Sequence, residues 1–227
     1  YLPLIMRNGY FLDDNYRSIQ GYYAWSGDYR PISDYIYYAL GLSEDFIDTY
    51  PLNYIIQFVI LISFAKYFLE ELMTRWLINR RLLNYVIVSI FCVFLNPFFI
   101  QNLYFRYDSL PMLLAVIAVL SLLVIDNKKK HLFMLVIALF LYQPAVLGYG
   151  IITCLRIIQL CKFQRSRKII YLEITQNSLA LLVAFLLFYT SSVLFLSPNN
   201  YSSSHFTLAS SLLVLKENTE YSLHNLY

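Results

Sequence analysis

The sequence predicts an all-α protein, a polytopic bundle of transmembrane helices, and three observations lead there. Of its 227 residues 59% are hydrophobic and only 14% charged, with a mean hydropathy of +0.55. A soluble domain carries about a quarter of its residues charged to keep its surface wetted, so lipid is the expected solvent for most of this chain. The apolar residues come in long runs, unlike the alternating pattern of an outer-membrane barrel. The 22 Tyr and 17 Phe fit as well, since aromatic side chains concentrate at the two membrane interfaces. The net charge of +3 is too small to point to a nucleic-acid partner.

The spans follow from runs of about 17 to 25 apolar residues bounded by charge or proline. One runs from Pro51 to Leu69, opening on a proline suited to a first helical turn and stopping before Glu70-Glu71. A second runs from Leu82 to Ile100, with Asn96-Pro97 expected to break or kink it. The third, Leu110 to Ile125, has 16 residues, about 24 Å of helix, and must borrow length from its flanks. Leu132 to Leu160 is too long for one upright span and is interrupted by Tyr142-Gln143-Pro144. A last span covers Ser178 to Leu196.

Charge orients these segments. Residues 75–81 (RWLINRR), 128–130 (KKK) and 162–168 (KFQRSRK) are basic clusters that the positive-inside rule assigns to the cytoplasm. An even number of crossings must then separate each cluster from the next. That requirement makes Leu132–Tyr142 an outward segment and Ala145–Leu160 its return. The resulting organisation has the end of a truncated first span at 1–6, an extracytoplasmic loop at 7–50, and a bundle of about five to six spans at 51–196. Cytoplasmic loops fall near 70–81, 126–131 and 161–170, and residues 197–227 form a second extracytoplasmic segment. Cys92, Cys154 and Cys161 show no CxxC spacing and read as free thiols; His131, His205 and His224 are too scattered for a metal site.

The residues able to do chemistry lie on the outer side of that map. DDNYR places Asp13 and Asp14 about 100° apart on a helix, with Arg17 at i+4 and i+3 from them. One acid can then pair with the guanidinium while the other accepts a proton. The same string would equally make an N-cap with an acidic first turn. Trp25, Gly27, Arg30 and Pro31 form a W-x-G-x-x-R-P string. An aromatic face suits a pyranose and an arginine fork suits a phosphate, whereas an interfacial Trp beside a snorkelling Arg is the plainer reading. Arg106 and Asp108 stand two apart before a short span, either as a functional pair or as a surface ion pair. Gln143 beside Pro144 is a polar residue at a helix break, and such breaks at membrane depth line cavities or pack on protein.

The string NGYFLDDNYRSIQGYYAWSGDYRPISDYI, with DTYPL at 48–52, NPFFIQNLYFRYDSLPM at 96–112 and LYQPAVLGYG at 141–150, resembles the bacterial O-antigen glucosyltransferases of the Gtr type II group. The resembling segments extend over residues 1–150. The resemblance implies a GT-C-like fold with the active site in the extracytoplasmic loop, in a protein of which this chain is the front portion. It implies a hexosyltransferase of the bacterial cytoplasmic membrane, working on its outer face. The donor would be a polyprenyl-phosphate sugar and the acceptor O-antigen or another glycan or lipid-linked sugar, with membrane lipid as surroundings.

Asp13 and Asp14 match the acidic position of that family's first external loop and are the expected catalytic residues. Arg17, Trp25, Arg30, Arg106, Asp108 and Gln143 are the expected substrate-binding residues. No metal ligands and no cofactor are implied, although two adjacent aspartates leave a divalent cation open. The chemistry is coherent: a sugar hydroxyl needs a general base, and a lipid phosphate leaves without a general acid if cations take up its charge. The rival expectations are a transporter or flippase for lipid-linked sugars, using the same residues for binding alone, and a non-catalytic membrane subunit. Transporters usually show paired repeats, and none is visible in this chain.

Overall fold

The computed structural model describes residues 2–6, 13–76 and 97–196, with scattered positions between 84 and 94. Among the described residues every regular element is helical. Most of the expected span 82–100 ahead of Pro97, together with Arg80, Arg81 and the segment 197–227, lies outside them. In chain order the helices are α1 (Leu2–Met6), α2 (Asp13–Gln20), α3 (Pro31–Gly41), α4 (Leu52–Trp76) and α5 (Pro97–Leu103). They continue with α6 (Ser109–Ser121), α7 (Lys128–Leu141), α8 (Gly148–Lys162) and α9 (Arg167–Phe195). Short 3₁₀ turns at Ser26–Asp28 and Gln143–Leu147 complete the set.

Among the described residues three helical stretches are long and apolar enough to cross a membrane: Leu52–Trp76, Gln143–Lys162 and Arg167–Phe195. Ser109–Ser121 is apolar but shorter, 13 residues or about 20 Å. α4 illustrates the division of surfaces. Asn53, Tyr54, Gln57, Phe64, Phe68 and Leu72 recur at helical spacing and are buried, while Ile55, Phe58, Val59 and Ile62 face outward. An outward apolar face of that kind suits hydrocarbon. In α9 the buried stripe is Asn177, Ala180, Ala184, Phe188 and Ser192, whose small members let the helix approach α7 closely.

α7 sits in the middle, packed against α6, α9 and α3, and Leu135, Ala138 and Leu139 are fully buried in it. Asn127 caps its N-terminus, its side chain accepting from the amides of Lys129 and Lys130 at 2.9 and 3.3 Å. The helix stops where Tyr142 turns extended, ahead of Gln143-Pro144, and the chain reverses into α8.

The helices therefore run back and forth between two chemically different ends. At one end the start of α4, the start of α6 and the Gln143 break meet α2, α3 and the Trp25 turn. At the other, the end of α4, the 122–126 turn, the start of α7 and the adjoining parts of α8 and α9 are tied by ion pairs. There Arg156, largely buried, reaches Glu173 at 2.7 Å, Asp126 at 3.0 Å and the carbonyl of Ile125 at 2.9 Å. Lys128 donates to Glu173 at 2.6 Å and to Asn177 at 2.7 Å.

Three helix ends differ from expectation. α4 continues past Glu70-Glu71 to Trp76, because Glu71 pairs with Arg75 one turn on at 2.6 Å and the acids stay at the surface of a continuous helix. α9 starts at Arg167 rather than Ser178, since Glu173 is neutralised inside the bundle and need not mark a boundary. α6 ends at Ser121, leaving the buried residues Leu122–Val124 to form a turn instead of more helix.

Candidate functional site

The site is built around the turn between α5 and α6. Tyr104 to Asp108 leave helical geometry for a few residues, with Tyr104 N–H bonded to Gln101 and Phe105 N–H to Asn102. This exposes backbone amides and side chains toward α2 and the Trp25 loop. Asp14 takes two of those amides: Arg106 N–H donates to Oδ2 at 2.6 Å and Tyr107 N–H to Oδ1 at 3.4 Å. Asn53 on α4 closes the turn from the other side, its Nδ2 donating to the Arg106 carbonyl at 2.5 Å. Gln57, one turn further, donates to Ser109 Oγ at 2.8 Å.

The Trp25 loop is held by Asp34, in the first turn of α3. Its carboxylate accepts from Trp25 N–H at 3.0 Å, from Ser26 N–H at 2.6 Å and from Ser26 Oγ. Tyr29, in the left-handed region at φ 60°, completes the tight turn, and Pro31 starts α3 immediately after Arg30. Trp25 is thereby turned inward. It is fully buried, stacked on Tyr37 at 5.0 Å between ring centroids, and its Nε1 donates to Asp108 Oδ1 at 2.6 Å. The guanidinium of Arg17 lies over the same indole at 3.7 Å.

Arg30 joins the same acid, its Nη1 donating to Asp108 Oδ1 at 3.0 Å while Nη2 stands 3.5 Å from Asp28. Arg106, only 1% exposed, pairs with Asp48 at 2.7 Å and lies over the Tyr50 ring at 4.2 Å. Gln143 reaches in from the α7–α8 break, Nε2 donating to the carbonyls of Asp28 and Tyr29 at 3.4 and 3.3 Å. Three arginines and five aspartates thus share one end of the bundle.

Two groups in this cluster are suited to chemistry. Burial pushes the Asp14 carboxyl up from 3.8 to about 6, with the nearby Asp108 charge adding to the rise. The amides of Arg106 and Tyr107, and the charge of Arg17, hold the shift back. A carboxylate with that pKa can take a proton near neutral pH. Arg17 is the other. Its Nη2 is 4.0 Å from Asp28, and its buried Nη1 has no hydrogen-bond partner among the described residues, so it keeps a donor available for an anion.

Asp14, Arg17, Trp25, Arg30, Arg106, Asp108 and Gln143 therefore lie in one connected network, with Asp13 opening α2 and its side chain outside the described residues. Two candidate pairings and one candidate ligand surface are used differently. Asp14 bonds amides of the 104–108 turn instead of pairing with Arg17, because a buried carboxylate needs donors that the turn already supplies. Arg106 and Asp108 do not pair with each other; each is buried against a partner from the loop, Asp48 and Arg30 respectively. Trp25 has no exposed face on which a sugar could pack, and holds Arg17 and Asp108 in place instead.

Asp28, Asp34, Asp48, Asn53 and Gln57 also belong to the network, beyond the candidate site residues of the sequence. Asn53 and Gln57 carried a signal, being two polar residues at i and i+4 on one face of an apolar helix. Asp48 opens the DTYPL string, but its pairing with Arg106 had no local signal, the two being 58 positions apart. Among the described residues no group of three or more His, Cys, Asp or Glu is arranged to hold a metal ion.

No family model matches the chain, and no solved structure does. Over 155 residues, 66% of the chain, it is 35% identical to a Salmonella phage P22 protein described as an uncharacterized 55.3 kDa protein in the gtrB 5′ region. The chain spans 31% of that relative's length.

Proposed function

We propose that this chain is the front portion of a GT-C-like membrane glycosyltransferase. In that role it moves a glucosyl or related unit from a polyprenyl-phosphate donor to O-antigen or another surface glycan, outside the cytoplasm. The observation that carries the proposal is the convergence of Asp14, with its pKa near 6, and Arg17, with a free buried donor, on one end of a bundle of apolar helices. The resemblance of the DDNYR and FRYDS segments to the Gtr type II group supports it. So does the phage relative, whose description places it beside gtrB, a setting that fits O-antigen modification.

In the proposed reaction the acceptor hydroxyl loses its proton to an α2 aspartate as its oxygen bonds the anomeric carbon. The bond from that carbon to the phosphate oxygen breaks, and its electron pair leaves on polyprenyl phosphate. The raised pKa favours Asp14 as the base. Arg17 takes the leaving phosphate, its Nη1 supplying the donor. Arg30 and Arg106, already paired with Asp108 and Asp48, act by their charge and by holding the 104–108 turn against the preceding loops. Asp14 is only 1% exposed, so this role requires the acceptor hydroxyl to gain access beside the 104–108 turn that covers it. One direct displacement with one base inverts the anomeric centre.

The experiment is replacement of Asp13 and of Asp14 by asparagine in the full-length protein, followed by glycan analysis of cells expressing equal amounts. Loss of the added sugar in at least one variant is expected. Normal glycosylation in both would overturn the catalytic role of α2.

A further inference from the structure

A cavity of about 280 Å³ lies at the opposite end of the bundle from the Asp14 cluster. Tyr67 and Arg75 of α4, the 124–127 turn and Lys130 of α7 form its walls. We propose that this cavity seats the phosphodiester headgroup of an anionic phospholipid, whose acyl chains run along the outward face of α4.

The walls supply donors in a fixed arrangement. Arg75 is clamped by Glu71 at Nε, 2.6 Å, and by Asp126 at Nη1, 2.5 Å, which holds the guanidinium rigid while Nη2 makes no hydrogen bond among the described residues. Lys130 makes no ion pair among the described residues, so its ammonium is available to the cavity. The one acid in the wall, Asp126, is shared between Arg75 and Arg156 and is compensated twice. Arg75 and Lys130 against the single Asp126 leave the wall with an excess of positive charge, which selects an anionic over a zwitterionic headgroup.

Location argues for a lipid over a free ion. The cavity opens beside Tyr67, which is 47% exposed on the same helix that presents Ile55, Phe58, Val59 and Ile62 to hydrocarbon. A phosphate bound there sits at the end of a 25-residue apolar helix, where a headgroup meets the acyl region. Basic pockets between transmembrane helices recognise headgroups by this combination of cation, hydrogen-bond donor and adjoining apolar wall. The inference depends on the chain being embedded in a membrane and not on the sugar-transfer chemistry at the other end.

The test uses the purified full-length protein in a neutral detergent, with lipid adducts counted by native mass spectrometry and stability followed by thermal unfolding. Phosphatidylglycerol is titrated against phosphatidylcholine and against inorganic phosphate. Phosphatidylglycerol is expected to bind and to raise the unfolding temperature, phosphatidylcholine and inorganic phosphate to do neither. Lys130→Gln is expected to weaken phosphatidylglycerol binding about fivefold and Lys130→Glu more strongly, while Lys129→Gln, on a neighbouring exposed residue outside the cavity, leaves it unchanged. Equal unfolding temperatures of all variants in phosphatidylcholine would show them folded. Equal binding of the two lipids, an unchanged affinity in Lys130→Glu, or stabilisation by inorganic phosphate alone would overturn the proposal.

Discussion

Replacing Asp14 by asparagine separates chemistry from folding in this protein. The folded-state pKa of Asp14 lies near 6 against 3.8 for a free aspartate, a difference of about 2 units or about 3 kcal/mol. The sign is set by the direction of the shift. Below about pH 3.8 the group is protonated in both folded and unfolded chains and carries no penalty, and the burial cost develops as pH rises through 6. At pH 7 the wild-type protein therefore bears a buried negative charge that Asp14→Asn removes, a gain of about 3 kcal/mol. The substitution also weakens the bond to one of the two turn amides, since an amide side chain has one acceptor oxygen, and a bond to a charged group is worth about 1.5–3 kcal/mol.

The two effects nearly cancel, so the variant should unfold within a few degrees of wild type at pH 7. Its transfer activity should fall by about 10²- to 10⁴-fold, the usual contribution of a general base. In the wild type kcat/KM should drop tenfold per pH unit below about 6, and the residual activity of Asp14→Asn should lack that limb. Purified protein assayed for transfer between pH 5 and 8, with parallel thermal unfolding, measures all three. Full activity in a stable Asp14→Asn variant, or an identical acidic limb in both proteins, would refute the assignment.

Other expectations follow from single contacts. Arg17→Gln should raise the KM for the polyprenyl-phosphate donor by about 10- to 100-fold, the loss of one charge-assisted bond to phosphate, with a smaller effect on the acceptor; equal changes for both substrates would contradict the donor role. Asp108→Asn should lower stability by about 2 kcal/mol, because Arg30 loses its closest acid inside a largely buried pair while Trp25 keeps an acceptor; unfolding temperature in detergent reads this directly. Glu173→Gln should destabilise by a similar amount, about 2 kcal/mol, by leaving Lys128 and Arg156 facing each other, and should leave the pH profile of transfer untouched.

Particular residues show what could be read from the chain alone. The all-helical architecture, with helices long and apolar enough to span a membrane, was legible because composition and long apolar runs report on solvent directly, and the α7–α8 break was legible because Pro144 cannot continue a helix. Helix ends were harder, since Glu71 and Glu173 look like boundaries until their partners Arg75, Lys128 and Arg156 are known. In the candidate site the residue types could be picked out, but their pairing could not. Spacing puts either Asp13 or Asp14 within reach of Arg17 and sets Arg106 beside Asp108, whereas folding brings Asp48 to Arg106 from 58 positions away and Arg30 to Asp108 from 78. Trp25 shows the same limit. An aromatic in a polar loop looks available to a ligand until Asp34 turns the loop and Asp108 draws the indole inward.

The most direct measurement is made on the full-length protein reconstituted in liposomes with a radiolabelled polyprenyl-phosphate glucose and a glycan acceptor. Covalent attachment of label to the acceptor, abolished by Asp14→Asn and dependent on Arg17, is the result expected of a glycosyltransferase built on this site. Label that crosses from one leaflet to the other while staying on its lipid, at a rate indifferent to Asp14, would contradict it and favour a flippase.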